Sequence, residues 1–183
     1  MLDSTNSAHV YPLSEFYARA QRALPPVEVI SGEVVPEPYR SLLVHGNDMT
    51  PTLEAFHEGH IHLEVLRRER RGDFYFRQVI LRLMRNEQPV EFGANKIYLG
   101  RFPDDLRELI LADDLPLGRI LRDFQLPHAT AAKAFLRVQS DAIINEAFEL
   151  SGPTTLYGRK AVITDPQGRP LSEIVEILPP QKP

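Results

Sequence analysis

The stretch from His60 to Leu99 limits the fold of this chain more than any other. His60–Arg70 alternates, placing Ile61, Leu63 and Val65 on one face; Gly72-Asp73 is a turn signal, and Phe74–Met84 follows as a long run of aromatic and branched residues. Asn86-Glu87 makes a second turn before a third strand, Val90–Leu99. A side-chain period of two belongs to a pleated strand and cannot be held by a helix. Connections this short force neighbouring strands to run antiparallel, so the segment reads as a meander of hairpins.

Around that meander the pattern changes twice. Residues 1–12 read as a frayed start, and residues 13–24 as a helix with Leu13, Phe16, Ala20 and Leu24 at helical spacing. Pro25 and Pro26 stop it, and the stretch to Tyr39 reads as an extended surface crossing. Pro103 opens a helical section in which Asp104 and Asp105 suit the positive end of a helix dipole, and a second short helix is expected from Leu117 to Phe124. Strands return at Phe135–Asp141, Thr155–Thr164 and Leu171–Leu178, the last two joined by Asp165-Pro166-Gln167-Gly168. Strands, then helices, then strands indicate an α+β single domain with a central antiparallel sheet. Residues 1–39 are read as a lead-in belonging to the same domain as residues 40–183.

A formal net charge of -4 argues against a nucleic-acid partner. The chain has no cysteine, which excludes disulfides, thiolate metal sites and a cysteine nucleophile, and fits a reducing compartment. No apolar run approaches the ~20 residues that span a bilayer, and the N-terminus lacks the pattern of a secretory signal. The expectation is a cytoplasmic protein with no membrane insertion.

Two charges interrupt apolar strand faces. One face of Phe74–Met84 carries Tyr75, Arg77, Val79, Leu81 and Leu83; one face of Leu171–Leu178 carries Ser172, Ile174, Glu176 and Leu178. An ion on a buried face needs a partner. Either Arg77 and Glu176 pair with each other, or the face is partly solvated, or the guanidinium fork of Arg77 waits for a ligand carboxylate and Glu176 holds a hydroxyl or handles a proton. Periodicity alone leaves these open.

Other motifs point less firmly. His57-Glu58-Gly59-His60-Ile61-His62 is not the helical His-Glu-x-x-His pattern, and a solvated strand edge accounts for it better than a metal. Arg67-Arg68-Glu69-Arg70-Arg71 reads as a solvated strand end. No Gly-rich phosphate loop and no nucleophile elbow is present. In Tyr157-Gly158-Arg159, Gly158 permits a close backbone approach, and Arg159 is a second candidate anion contact.

These residues lie in segments that resemble the chorismate pyruvate-lyase family. The segments are Leu42-Leu43-Val44-His45 with Asp48-Met49-Thr50, Phe76-Arg77-Gln78-Val79-Ile80-Leu81, Pro116-Leu117-Gly118-Arg119-Ile120-Leu121, Tyr157-Gly158-Arg159 and Glu176-Ile177-Leu178-Pro179. They follow the family's order from about residue 40 to 180. The resemblance implies an α+β domain whose helical flaps cover a ligand buried against the sheet, with no metal or organic cofactor. It implies a carbon–oxygen lyase that releases pyruvate from chorismate to give 4-hydroxybenzoate or a related hydroxybenzoate, a step associated with ubiquinone biosynthesis. It makes Arg77 the carboxylate anchor and Glu176 the hydroxyl contact, both counted as catalytic. Met49 and Leu117 would be substrate-binding residues, with Arg159 available for a second carboxylate.

The flank Val90-Glu91-Phe92-Gly93-Ala94-Asn95 departs from the family's better-known lyases, where Glu91, Asn95 and Lys96 would add polar contacts. Residues 1–40 are poorly covered by the resemblance. Two alternatives stand beside the lyase: an enzyme acting on another enolpyruvyl or aromatic acid, and a non-enzymatic domain of the same fold that binds an aromatic acid. Regulators that use the fold for sensing carry a DNA-binding helical domain upstream; residues 1–40 are too short and too rich in proline for one, which favours an enzyme.

Overall fold

Seven strands, every neighbouring pair antiparallel, form one sheet in the computed structural model, which describes residues 4–181. They are β1 (Val27–Ile30), β2 (Ile61–Arg71), β3 (Phe74–Leu83), β4 (Pro89–Tyr98), β5 (Ala129–Gln139), β6 (Thr155–Thr164) and β7 (Pro170–Leu178). The helices are α1 (Ser4–His9), α2 (Leu13–Arg19), α3 (Tyr39–Leu43), α4 (Met49–His57), α5 (Asp104–Ala112), α6 (Leu117–Asp123) and α7 (Ala142–Phe148). The α+β single domain with a central antiparallel sheet is therefore as the strand patterning indicated.

The strand order is β1-β5-β6-β7-β4-β3-β2. Each meander is local: Gly72, at φ +59°, turns β2 into β3, and Gly168, at φ +77°, turns β6 into β7. The join is not. β7 lies against β4, pairing Glu176 with Gly93 and Ile174 with Asn95, and this seam makes one sheet of two hairpin runs.

Each face of the sheet has its own cover. Phe76, Ile80, Phe92, Val175 and Ile177 pack under Leu13, Phe16 and Tyr17 of α2 and Ile144 and Phe148 of α7. On the opposite face two clusters form. One joins Leu81 and Leu83 to Leu42, Leu43, Met49 and Leu53 of α3 and α4; the other joins Tyr75 and Ile97 to α5 and α6 through Leu106, Ile110, Leu117 and Ile120. Burying a side chain of this size is worth roughly 1.5–3 kcal/mol, so each cover is held mainly by its apolar stripe.

Several local readings change. The lead-in after Pro26 is not a plain surface crossing: Val27–Ile30 pairs with Phe135–Val138 at the sheet edge. The strand expected at 135–141 begins at Ala129, where Ala and Thr carry little strand signal and pairing with Thr164–Ala161 makes the strand. The first long helix ends at Arg19, with Gln21 at φ 52°. Within the frayed start, Ser4–His9 is helical, and residues 1–3 lie outside the described part. Helices α3, α4 and α7 are additions to the elements read from the sequence; α7 is capped by Asp141, whose carboxylate accepts from the Ile144 N–H at 3.0 Å.

Candidate functional site

Alternation along four adjacent strands builds the floor of one cavity. β3 contributes Arg77, Val79 and Leu81; β4 contributes Glu91 and Asn95. Ile174 and Glu176 come from β7, and Arg159 and Ile163 from β6. The register sets Arg77 opposite Asn95, Leu81 opposite Glu91, and Gly93 between Val79 and Glu176. The roof is the start of α4, with Asp48, Met49 and Thr50, and the start of α6, with Pro116, Leu117 and Gly118. The cavity they line has a volume of about 40 Å³. Arg77, Glu176, Met49, Leu117 and Arg159, the residues singled out from the sequence, all line this cavity.

Arg77 is 1% exposed. Its Nε donates to Asn95 Oδ1 at 3.2 Å and its Nη1 to Asp113 Oδ1 at 3.2 Å. Among the described residues its Nη2 has no hydrogen-bond partner. Asp113 sits at the left-handed end of α5, φ 61°, and also accepts from Tyr75 Oη at 2.6 Å and Arg68 Nη1 at 2.9 Å. Burial pulls the guanidinium below its usual range, against the opposing effect of Asp113. Burial and the bond to Asp113 push the Tyr75 phenol up to about 12.

Arg159 and Glu176 face each other across β6 and β7, and Arg159 Nε donates to Glu176 Oε2 at 2.5 Å. The other end of Arg159 holds the loop before α4. Nη1 donates to the carbonyls of Leu43 and His45, at 3.4 and 3.2 Å, and Nη2 to that of Asn47 at 3.1 Å. Burial, then the charge of Arg159, lowers the His45 pKa. A Cβ at Gly158 would strike the Glu176 carbonyl oxygen, so the close approach expected of this glycine is real. A Cβ at Gly93 would strike the carbonyl of Val175 on the other side of β7. The Arg77–Glu176 ion pair is not formed: each charge has its own partner, because the register puts Gly93 rather than Arg77 beside Glu176.

Two further groups belong to the site. Asp48 precedes α4 but makes no capping bond; its carboxylate accepts from Thr130 Oγ1 at 2.5 Å and meets His128 Nε2 at 2.8 Å. The first N–H groups of α4, at Met49 and Thr50, therefore lack the side-chain cap that would normally compete for them. Glu91 is 5% exposed, and among the described residues its buried Oε2 has no hydrogen-bond partner. Burial first, then the charge of Glu176, raises its pKa well above 4.5, against the pull of Arg159. The signal for Glu91 was present in the sequence as a third charge inside an apolar strand.

The other motifs lie elsewhere. His60 Nδ1 is 3.7 Å from Glu54 and His62 Nε2 is 2.9 Å from Glu87, so the two histidines face different carboxylates. Among the described residues no group of three or more His, Cys, Asp or Glu side chains is placed to hold a metal ion. In the arginine-rich strand end, Arg71 pairs with Glu69 and Glu15, while Arg68 reaches Asp113 and so touches the network behind Arg77. No described helix is long and apolar enough to cross a membrane.

No protein-family model and no curated protein matches the sequence. Solved structures match in fold. PhnF from Mycobacterium smegmatis aligns at TM-score 0.56 and 12% identity, over 72% of this chain and 63% of that one. The ligand-binding domain of a Bordetella bronchiseptica protein assigned to the GntR family of transcriptional regulators aligns at TM-score 0.51 and 15% identity, over 65% and 85%. YydK of Bacillus subtilis, assigned as a transcriptional regulator, aligns at TM-score 0.51 and 9% identity, over 65% and 58%. The fold is thus the chorismate lyase-like fold in the form found in regulator domains.

These findings overturn the chorismate pyruvate-lyase expectation and, with it, release of pyruvate, 4-hydroxybenzoate formation and a place in ubiquinone biosynthesis. Solved structures alike in fold include proteins named as transcriptional regulators, and no family model matches the chain. In the cavity, the Glu176 carboxylate accepts from Arg159, and Arg159 is held in turn by backbone carbonyls. The ordered short segments mark residues that this fold places around its cavity, and the chemistry does not follow from them.

Proposed function

We propose that this chain is a small-molecule-binding domain that holds a compact organic acid in the cavity between the sheet and the start of α4. The observation that carries the reading is Arg77, a buried guanidinium whose Nη2 has no hydrogen-bond partner among the described residues and which lines the cavity under α4 and α6. A buried cation with donors to spare is built for an anion, which a guanidinium can meet with two parallel hydrogen bonds. The uncapped start of α4 adds backbone N–H groups and a positive dipole end to the same cavity. Met49, Val79, Leu81, Leu117 and Ile174 supply apolar walls suited to the body of an aromatic or other compact acid. Arg159 and Glu176 serve as a fixed polar wall that also secures the loop leading to α4.

The ligand-binding domain from Bordetella bronchiseptica supports a sensing role, in which occupancy of the cavity is read by a partner domain or protein. Such a role belongs in the cytoplasm and asks no nucleic-acid surface of this chain, whose formal charge is -4. Residues 1–39 belong to the same folding unit on this reading, since Leu13, Phe16 and Tyr17 help close one face of the sheet. The test is a thermal-stability screen of the protein with a panel of small carboxylates and phosphates, repeated with Arg77→Met. Stabilisation by at least one acid that disappears in the variant supports the reading. A chain that no acid stabilises, or whose stabilisation survives the substitution, is not using this site.

A further inference from the structure

The geometry points to Glu91 as a ligand contact that works as the neutral acid, donating its proton to an uncharged oxygen of the bound molecule while Arg77 holds the molecule's anionic group. The inference rests on the binding reading above and specifies the class of ligand: a compact acid with a second, uncharged oxygen at its far end.

Glu91 lines the same cavity as Arg77, at the opposite end of the β4 row that runs Glu91, Gly93, Asn95. Arg77 faces Asn95, and four residues separate Asn95 from Glu91, about 13 Å along an extended strand. Between the two along the strand lies Gly93, paired with Val79 on one side and Glu176 on the other. The Glu91 side chain is more than nine-tenths buried, and among the described residues its buried Oε2 has no hydrogen-bond partner. Buried polar groups in folded proteins are paired almost without exception, and an unpaired one calls for an explanation.

The charges around it leave little room for an ionised form. The titratable groups that share the cavity with Glu91 are Glu176 on β7, Arg159 on β6, Arg77 on β3 and Asp48 at the head of α4. Arg159 is matched by Glu176, Arg77 by Asp113, and Asp48 stands against His128. Among the described residues no cation forms an ion pair with Glu91; burial, then the charge of Glu176, acts against its ionised form, with Arg159 opposing. A neutral carboxyl carries an O–H, and an O–H needs an acceptor. A ligand carbonyl, ether or hydroxyl oxygen provides one. A ligand ammonium would instead draw the proton off and set two carboxylates side by side.

Calorimetric titration with three related probes tests this: benzoate, 4-formylbenzoate and 4-(aminomethyl)benzoate. They share the anion and differ at the far end in having no group, a carbonyl oxygen or a cation. The wild-type chain is expected to bind 4-formylbenzoate at least about tenfold more tightly than benzoate, since a site built to hydrogen-bond a group rejects the analogue that lacks it. Glu91→Ala should erase that preference and Glu91→Gln should retain it, because the amide still donates. A preference that survives in Glu91→Ala, or a wild type that favours the aminomethyl probe with affinity rising as pH rises, overturns the proposal. Arg77-dependent binding of benzoate with no gain from the formyl group overturns it while leaving the binding reading standing. If no probe binds, both fall.

Discussion

Arg159 and Glu176 stand directly opposite each other on β6 and β7, and the guanidinium Nε donates to the carboxylate at 2.5 Å in a part of the fold that solvent does not reach. The same guanidinium ties down the carbonyls of Leu43, His45 and Asn47, so one side chain fixes both the cavity floor and the loop that leads to its roof. Buried pairs of this kind are costly to break and far less costly to replace as a unit.

Arg159→Met is therefore expected to lower unfolding free energy by roughly 3–5 kcal/mol, because Glu176 is left buried without its cation. The double variant Arg159→Met with Glu176→Leu should recover most of that loss. Urea unfolding of the two singles and the double gives the comparison. A double as unstable as Arg159→Met would place the loss in the freed carbonyls of the 43–47 loop instead.

Arg77→Lys separates charge from shape. A lysine keeps the positive charge but lacks the fork that serves Asn95 and Asp113 while leaving Nη2 free. Affinity for benzoate should fall by about tenfold or more, a loss of roughly 1.4 kcal/mol. Calorimetric titration reads the affinity, and a variant that binds as tightly as the wild type would show that charge alone suffices.

Glu91 makes stability depend on pH in a definite direction. Its folded pKa lies well above the ordinary value of 4.5, so the folded state holds this proton where the unfolded chain has released it. The associated stability is fully present below pH 4.5 and is lost as pH rises through the raised folded value. Glu91→Gln cannot ionise. Relative to the wild type, the variant should therefore gain stability as pH is raised above 4.5, measured by urea unfolding across a pH series. Parallel pH profiles for the two proteins would show that Glu91 ionises normally.

Gly93→Ala should cost roughly 1–3 kcal/mol, since the added Cβ would strike the Val175 carbonyl oxygen at the seam between β4 and β7. Gly152→Ala, where nothing lies within 4 Å of the new atom, serves as the control and should change stability by less than about 0.5 kcal/mol. Thermal unfolding of both variants decides it. Equal stability in the two would mean that the seam relaxes freely.

Much of the sheet could be read without a structure, because strand alternation and turn residues act within a few positions of one another. Thr155–Thr164 was delimited as a strand to the residue, and the β2, β3 and β4 segments to within one or two. Ala129–Ala134 could not be read this way because Ala and Lys carry weak strand preference, and Val27–Ile30, though Val and Ile favour strands, is only four residues long behind Pro25-Pro26; partners about thirty and more than a hundred residues away, respectively, complete them. The candidate site followed the same division. Arg77 and Glu176 stand out as charges on apolar strand faces and Arg159 as a candidate anion contact beside Gly158, whereas Asp113, at the end of α5, looks like any acidic residue in a polar loop.

By itself the sequence determined the antiparallel hairpins, the α+β class and which apolar strand faces a charge interrupts, since all of these follow from a period of two along a single segment. Only the tertiary structure decided which charge meets which. Arg77 meets Asp113, 36 residues on, because the left-handed end of α5 comes down over β3. Glu176 meets Arg159 because β7 lies between β6 and β4 in this register. Glu91 is left without a partner by those same choices. Burial and pairing depend on what is laid over a strand, and nothing within the strand's own residues specifies its cover.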